Sequence, residues 1–273
     1  MKPKNTRINT IDSSKYDREY FENSCDGYNE FFESKGEFLP KRLQRPIDFA
    51  QIKEGMNVLD IGSGRGEVSL QCHMRGAMVF SLDYSWDALK IARTNLSNFQ
   101  KPDSDLHIFI QQSDAKSLPF TNSSFDRVFM LDIVEHLYPD ELSIALSEVK
   151  RVLRPDGWLI IHTMPNLWYY HLGYPIYRFF EKLRGHKLPA NPRQRWKNIE
   201  VHVNEQTPVK MKQILTRQGF RSKVWLESAN NYLDEPNKIV RFGMFLLTKI
   251  YPFHWFFCND IFAVGKKRDE GRN

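Results

Sequence analysis

The chain has 273 residues, with 39 Lys or Arg against 33 Asp or Glu and a formal net charge of +6. That length is ample for one large domain with insertions, a hydrophobic share of 41% excludes a disordered polyelectrolyte, and the mild positive balance selects no partner. Three cysteines, at positions 25, 72 and 258, have neither metal-ligand spacing nor the density of a disulfide framework, and MKPKNTRINTIDSSKY at the start has no apolar core, so a cytoplasmic protein without a signal peptide is expected.

Residues 1–38 are polar with interspersed aromatics (Tyr16, Tyr20, Phe21, Tyr28, Phe31 and Phe32) and predict a loosely ordered tip followed by a helical cap. A helix over about 40–51 precedes the core. The run VLDIGSGRGEV at 58–68 then reads as a buried parallel strand ending at Asp60. It leads into a glycine-rich turn, Gly62, Gly64 and Gly66, and a helix N-terminus, where backbone amides and the positive helix end can approach a ligand. A dinucleotide fingerprint would need its third glycine at 67, where Glu67 stands, and no Walker lysine follows. A second apolar run, 78–82, ends at Asp83, an acid placed to accept hydrogen bonds from two ribose hydroxyls. Turn and acid together predict a nucleoside-type site.

Beyond Tyr84, Ser85 caps a helix with Leu89, Ala92 and Leu96 on one face, and a third strand over 107–111 leads to Ser113-Asp114-Ala115. SFDRVFMLDIVEHL (124–137) supplies a fourth strand and its loop. Pro139-Asp140-Glu141 opens a helix carrying Leu142, Ala145, Leu146 and Val149, and a PDG turn leads to a fifth strand. The alternation stops over about 164–206, which holds LWYYHLGYPIYRFF and a basic run. It resumes with a capped helix at Thr207-Pro208 and a strand over 221–226. A second apolar insertion, about 228–257, precedes a last strand over 260–266, and residues 268–273 are expected to be a disordered tail.

These ordered blocks over 55–165 resemble the class I S-adenosylmethionine-dependent methyltransferases, in their small-molecule branch. The resemblance implies an α/β fold, a doubly wound and mostly parallel seven-stranded sheet whose last strand is antiparallel. An N-terminal cap (1–38) and two aromatic-rich insertions would decorate a domain spanning 39–267. It further implies S-adenosyl-L-methionine as cofactor, held by Asp60 on the methionine ammonium side, Gly62, Gly64 and Gly66 at the turn, and Asp83 with Tyr84 at the ribose. Asp114 with Ala115 would lie at the adenine, and Leu131 where the sulfonium methyl is presented.

Asp132, Glu135 and His136 form a D-x-x-E-H cluster whose i, i+3, i+4 spacing would align three ligands on one helical face. Similar clusters bind a divalent ion in some members, among them ubiquinone-pathway O-methyltransferases and small-RNA 2′-O-methyltransferases. The expectation here is no metal, with His136 as a general base or active-site wall. His202, in a loop reaching the substrate mouth, is a second candidate proton acceptor.

The aromatic insertions are interrupted by Arg178, Arg241 and Lys249 and are too short to span a bilayer. They are expected to roof the acceptor pocket, with peripheral membrane contact as the alternative. The expected reaction is O-methylation of a small, amphiphilic or glycan-type acceptor by direct in-line transfer. Two other readings are an RNA methyltransferase, suggested by the basic run, and a non-catalytic cofactor-binding protein.

Overall fold

The computed structural model describes residues 9–23, 25–99, 107–195, 199–228, 233 and 235–268. Residues 1–8, at the start of the stretch where a loose tip is expected, and all of the expected tail except Arg268 lie outside the described residues.

Seven strands form one sheet: β1 (Asn57–Ile61), β2 (Met78–Asp83), β3 (Ile108–Gln112), β4 (Phe125–Leu131), β5 (Leu153–Thr163), β6 (Phe220–Glu227) and β7 (Asp260–Lys267), in the order β3-β2-β1-β4-β5-β7-β6. All neighbours are parallel except β7, which runs antiparallel to both β5 and β6. The sheet is therefore the doubly wound, mostly parallel one that the alternation predicts. Alternate residues of β1 and β4 serve opposite faces. Leu59, Ile61, Val128 and Met130 pack in one apolar layer, while Val58, Phe129 and Leu131 pack in the other. Burial on both faces explains why these strands read as continuous apolar runs.

Several helices start at residues whose side chains cap them. An N-terminal trio, α1 (Arg18–Asn23), α2 (Tyr28–Glu33) and α3 (Lys41–Ala50), leads to α4 (Glu67–His73) behind the glycine turn. In α5 (Trp86–Phe99) the Ser85 hydroxyl accepts the Ala88 amide at 3.2 Å. In α6 (Pro139–Val152) the Glu141 carboxylate accepts the Tyr138 amide at 3.0 Å. After α7 (Tyr174–Leu183), Thr207 caps α8 (Pro208–Arg217) by accepting the Lys210 amide at 3.1 Å. The second insertion forms α9 (Lys238–Lys249) and the short α10 (His254–Phe257).

One expectation differs. The PDG segment is not a turn between α6 and β5 but a bulge within β5: Leu153 pairs with Phe125, and the next partners are Trp158 and Arg127. Gly157 permits the fold-back, because a Cβ there would lie 2.9 Å from both the Leu153 side chain and the Phe125 carbonyl.

The strand order reverses about β1 and β4, so a crevice opens beyond their carboxyl ends, the usual ligand position in an open α/β sheet.

Candidate active site

The turn after β1 holds its glycines at positive φ: 71° at Gly62, 52° at Gly64 and 83° at Gly66. The Gly62 and Ser63 amides both donate to the Leu82 carbonyl, at 2.8 and 2.9 Å, tying the turn to the end of β2. Asp83 completes the link. One carboxylate oxygen accepts the Gly64 amide and the other the Ser85 amide, each at 2.8 Å. Burial pushes the Asp83 carboxyl up to about 6, against these amides, which favour its charge. Burial raises Asp60 to about 7, partly offset by the Ser69 hydroxyl donating at 2.7 Å, with Asp83 and Glu67 adding to the rise.

Asp60, Gly62, Gly64, Asp83, Tyr84, Asp114, Ala115, Leu131 and His136 all line one cavity at the crevice. Gly66 does not. A Cβ there would sit 3.2 Å from the Ala92 side chain, so this glycine lets α4 and α5 approach rather than touching the cavity. Asp114 also serves its own turn, accepting the Lys116 amide at 2.9 Å and pairing with the Lys116 ammonium at 3.1 Å.

The cavity is roofed by the N-terminal cap. Thr10, Tyr16, Tyr20, Phe21, Cys25 and Arg42 line it, whereas no residue of 167–180 or 238–257 does. This corrects the expectation that the aromatic insertions form the lid: they pack on one another, Trp168 stacking on Trp255 at 5.2 Å. Arg65, within the glycine turn, is buried and clips the cap in place. Its guanidinium donates to the carbonyls of Phe21 at 3.0 Å and Cys25 at 2.9 Å, pairs with Glu67 at 2.5 Å, and lies over the Tyr28 ring.

The D-x-x-E-H cluster is not on one helical face. Asp132 has φ 54°, and only Val134–His136 make a 3₁₀ turn, so the Asp132 side chain parts from those of Glu135 and His136. Asp132 binds the Arg42 guanidinium at 2.8 Å and the His162 ring. The other ring nitrogen of His162 meets Asp260 at 3.0 Å. Burial alone would discharge His162, but the two aspartates hold its pKa well above the imidazole range; burial alone would raise Asp132, yet His162 and Arg42 hold it well below the carboxylate range. Glu135 accepts the Thr163 hydroxyl at 2.7 Å, and burial and Asp132 push its carboxyl up. His136 Nδ1 lies 3.0 Å from the Val201 carbonyl, which can only accept, so Nε2 keeps its lone pair. Burial and His202 push His136 down to about 3, so it is neutral at physiological pH. His202 does not line the cavity. It stands behind His136 with ring centroids 4.9 Å apart, and ligand atoms of Glu135, His136 and His202 lie within 4.8 Å of one another.

Residues 59–161 match the family described as Methyltransferase domain, over the stretch that builds β1 to most of β5 and the lower half of this cavity. Residues 59–161 form a methyltransferase domain of the class I S-adenosylmethionine-dependent family. S-adenosyl-L-methionine is that family's cofactor. The methyltransferase domain is 30% identical over 145 residues to the Ubiquinone biosynthesis O-methyltransferase of Haemophilus ducreyi, covering 49% of this chain and 58% of that protein. It is 27% identical over 199 residues to the Ubiquinone/menaquinone biosynthesis C-methyltransferase UbiE of Nitrosospira multiformis, covering 68% and 75%. The chain thus spans little more than half the length of the first of these curated relatives. Among solved structures, a chain of the complex between the Haloferax volcanii Trm112 methyltransferase activator and the putative methyltransferase matches with TM-score 0.59 and 15% identity, over 95% of this chain and 100% of that one. The Haemonchus contortus Phosphoethanolamine N-methyltransferase 2 in complex with S-adenosyl-L-methionine matches with TM-score 0.58 and 20% identity, over 94% and 57%. These two likenesses establish the fold of the methyltransferase domain. Among the described residues no helix is long and apolar enough to cross a membrane.

Arg42 and Arg65, which line the cavity, escape sequence reasoning, and His162, which holds Asp132, reads there only as a strand residue. Arg65 stands between two glycines of the turn, and the other two act through partners far along the chain. Only His162, facing Leu131 across β4 and β5, carries a signal, a titratable residue inside an apolar strand.

Proposed function

We propose that the protein is an enzyme that methylates an oxygen of a small, amphiphilic acceptor by direct transfer from S-adenosylmethionine. The observation that carries this reading is that the glycine turn, Asp83 and His136 share one cavity. The residues fit the cofactor. The Ser63 hydroxyl and one Arg42 guanidinium nitrogen (Nη1) are buried without a partner at residues that line this cavity, an acceptor-capable group and a donor left for a polar ligand. Asp83 would accept from the ribose hydroxyls, Asp60 would face the amino-acid ammonium, and the spare Arg42 N–H would donate to the amino-acid carboxylate. Asp114, Ala115 and Leu131 border the adenine and the methyl. Bound there, the cofactor supplies an electrophilic methyl on sulfur. The chain's own work is to align the acceptor hydroxyl beneath Tyr16 and Tyr20, and to take its proton on His136 Nε2. The ubiquinone-pathway names of the curated relatives favour a hydroxylated ring with an apolar tail, with O- rather than C-transfer matched to a neutral imidazole acceptor.

Cofactor affinity should depend on pH with a definite sign. Asp60 and Asp83 have raised pKa values, about 7 and about 6, and both bind the ligand as carboxylates. Affinity for S-adenosylhomocysteine is therefore full above pH 7 and falls as pH drops through 7 and 6, with protons released on binding at pH 6. Calorimetry in buffers of different ionisation enthalpy measures this release; an affinity constant from pH 8 to 5.5 contradicts the two assignments.

The function itself is tested by supplying methyl-labelled cofactor with hydroxylated quinols, and with purified tRNA and rRNA in parallel. Label is expected in the quinol class, and efficient transfer to RNA with steep salt dependence reverses the reading. The Glu135, His136 and His202 group supports a second arrangement, in which the same lone pairs hold a divalent cation. The raised pKa of Glu135 favours its protonated form, a poor ligand, so activity is expected to survive EDTA. Loss on chelation with recovery on Mg²⁺ or Mn²⁺ establishes the cation instead.

A further inference from the structure

Helix α7 is inside out. Ile176, Phe179, Phe180 and Leu183 fall at i, i+3, i+4 and i+7, a stripe that in a globular protein turns toward the core. Here it turns outward: Phe179 is 58% and Leu183 69% exposed, while the helix's one acid, Glu181, is buried against Arg184 and His186. Helix α9 does the same. None of its side chains is fully buried, and Ile239 is 84% and Phe242 62% exposed.

The two helices are linked near their ends. Arg184, just past the end of α7, reaches Glu235, just before α9, at 3.8 Å. At the other end Gly173, just before α7, backs so closely onto the Phe256 carbonyl of α10 that a Cβ would clash. α10 follows α9, so α7 and α9 run antiparallel. The link between α9 and α10 adds exposed Tyr251 and Phe253.

Charge names the occupant. Arg178, Lys182 and Lys187 flank the first stripe and Lys238, Arg241 and Lys249 the second; residues 238–257 contain no acid, and Glu181 is withdrawn into its ion pairs. A second copy of the chain would set these cations against each other. A bilayer with anionic headgroups takes up both the apolar side chains and the cations, as interfacial helices do. At 10 and 12 residues the helices are too short to span a bilayer and would lie flat on it. We infer that the α7 and α9 face docks the protein on anionic phospholipid membranes. This docking stands apart from the cofactor cavity and does not rest on the acceptor's identity.

Flotation of the full chain with extruded vesicles tests it. The protein should float with vesicles of phosphatidylcholine mixed with phosphatidylglycerol, much less with phosphatidylcholine alone, and less as salt rises. The double variant Phe179→Ser, Phe242→Ser should bind the mixed vesicles at least about tenfold more weakly. Its melting temperature and the shift induced by S-adenosylhomocysteine should be unchanged. Lys182→Glu with Lys238→Glu should lower binding to the mixed vesicles by about fivefold per residue or more, and carries the test should the phenylalanine variant fail to fold. No flotation of the parent protein with the mixed vesicles overturns the inference, as does flotation that both variants retain in full. A dimer seen by light scattering and dissolved by Phe179→Ser, Phe242→Ser, without vesicle binding, assigns the face to a second copy.

Discussion

Replacing His162 with phenylalanine is expected to destabilise the protein by about 3–5 kcal/mol, the usual cost of removing one partner from a buried charge cluster. For a chain of this size that is a fall in Tm of about 10 °C. The ring keeps its packing beside Phe262, 4.8 Å away, but Asp132 and Asp260 lose their shared cation. The pH dependence has a fixed sign. The folded-state pKa of His162 lies above its unfolded value of about 6.5, so its contribution to stability is full below that pH and is lost as pH rises into the alkaline range. The parent protein should therefore lose stability toward alkaline pH by more than the variant does. Thermal melts from pH 6 to 10 measure both effects; a Tm within 2 °C of the parent's at pH 6 means the cluster carries no net charge interaction.

Asp83→Ala should weaken binding of S-adenosylhomocysteine by about ten- to a hundredfold, equivalent to about 1.5–3 kcal/mol for charge-assisted hydrogen bonds. Two losses combine. The proposed ribose contact goes, and so does the carboxylate that accepts the Gly64 and Ser85 amides, leaving the glycine turn unanchored at the end of β2. Gly66→Ala is a useful contrast, since Gly66 faces Ala92 rather than the cavity; its cost should fall mainly on stability. Calorimetry with both variants measures this, and affinity of Asp83→Ala within threefold of the parent's rules out the ribose assignment.

The central sheet was legible because its signals are local. Apolar runs, Ser85, Thr207 and the Pro139 start each act within a few residues, and the glycine spacing places Asp60 and Asp83 at one crevice. What was misread depends on contacts between distant segments. The D-x-x-E-H spacing suggests one helical face, but Asp132 sits at positive φ with its side chain on Arg42 and His162, and neither is near it in sequence. The insertions suggest a lid because they are aromatic and interrupt the alternation. The N-terminal aromatics hold that place, since Arg65 presents a cation to the carbonyls of Phe21, Cys25 and Asp26 that no periodicity reveals. The insertions' own stripe was visible as helical spacing, yet spacing gives only that a face exists. Which way it points shows only in the fold, where Tyr174 and Glu181 are buried and Phe179 and Leu183 are exposed.

Arg65 has a thermodynamic consequence for how the cavity opens. Its backbone belongs to the turn that borders the cavity, while its side chain holds the cap that roofs it. Lifting the cap therefore strips a buried guanidinium of its carbonyl partners. Whatever free energy ligand binding adds to the ordered turn is added equally to the closed cap. The N-terminal aromatics then behave as a latch whose strength is read out by occupancy: loosely held and open to proteases when the cavity is vacant, and protected in proportion to ligand affinity when it is filled.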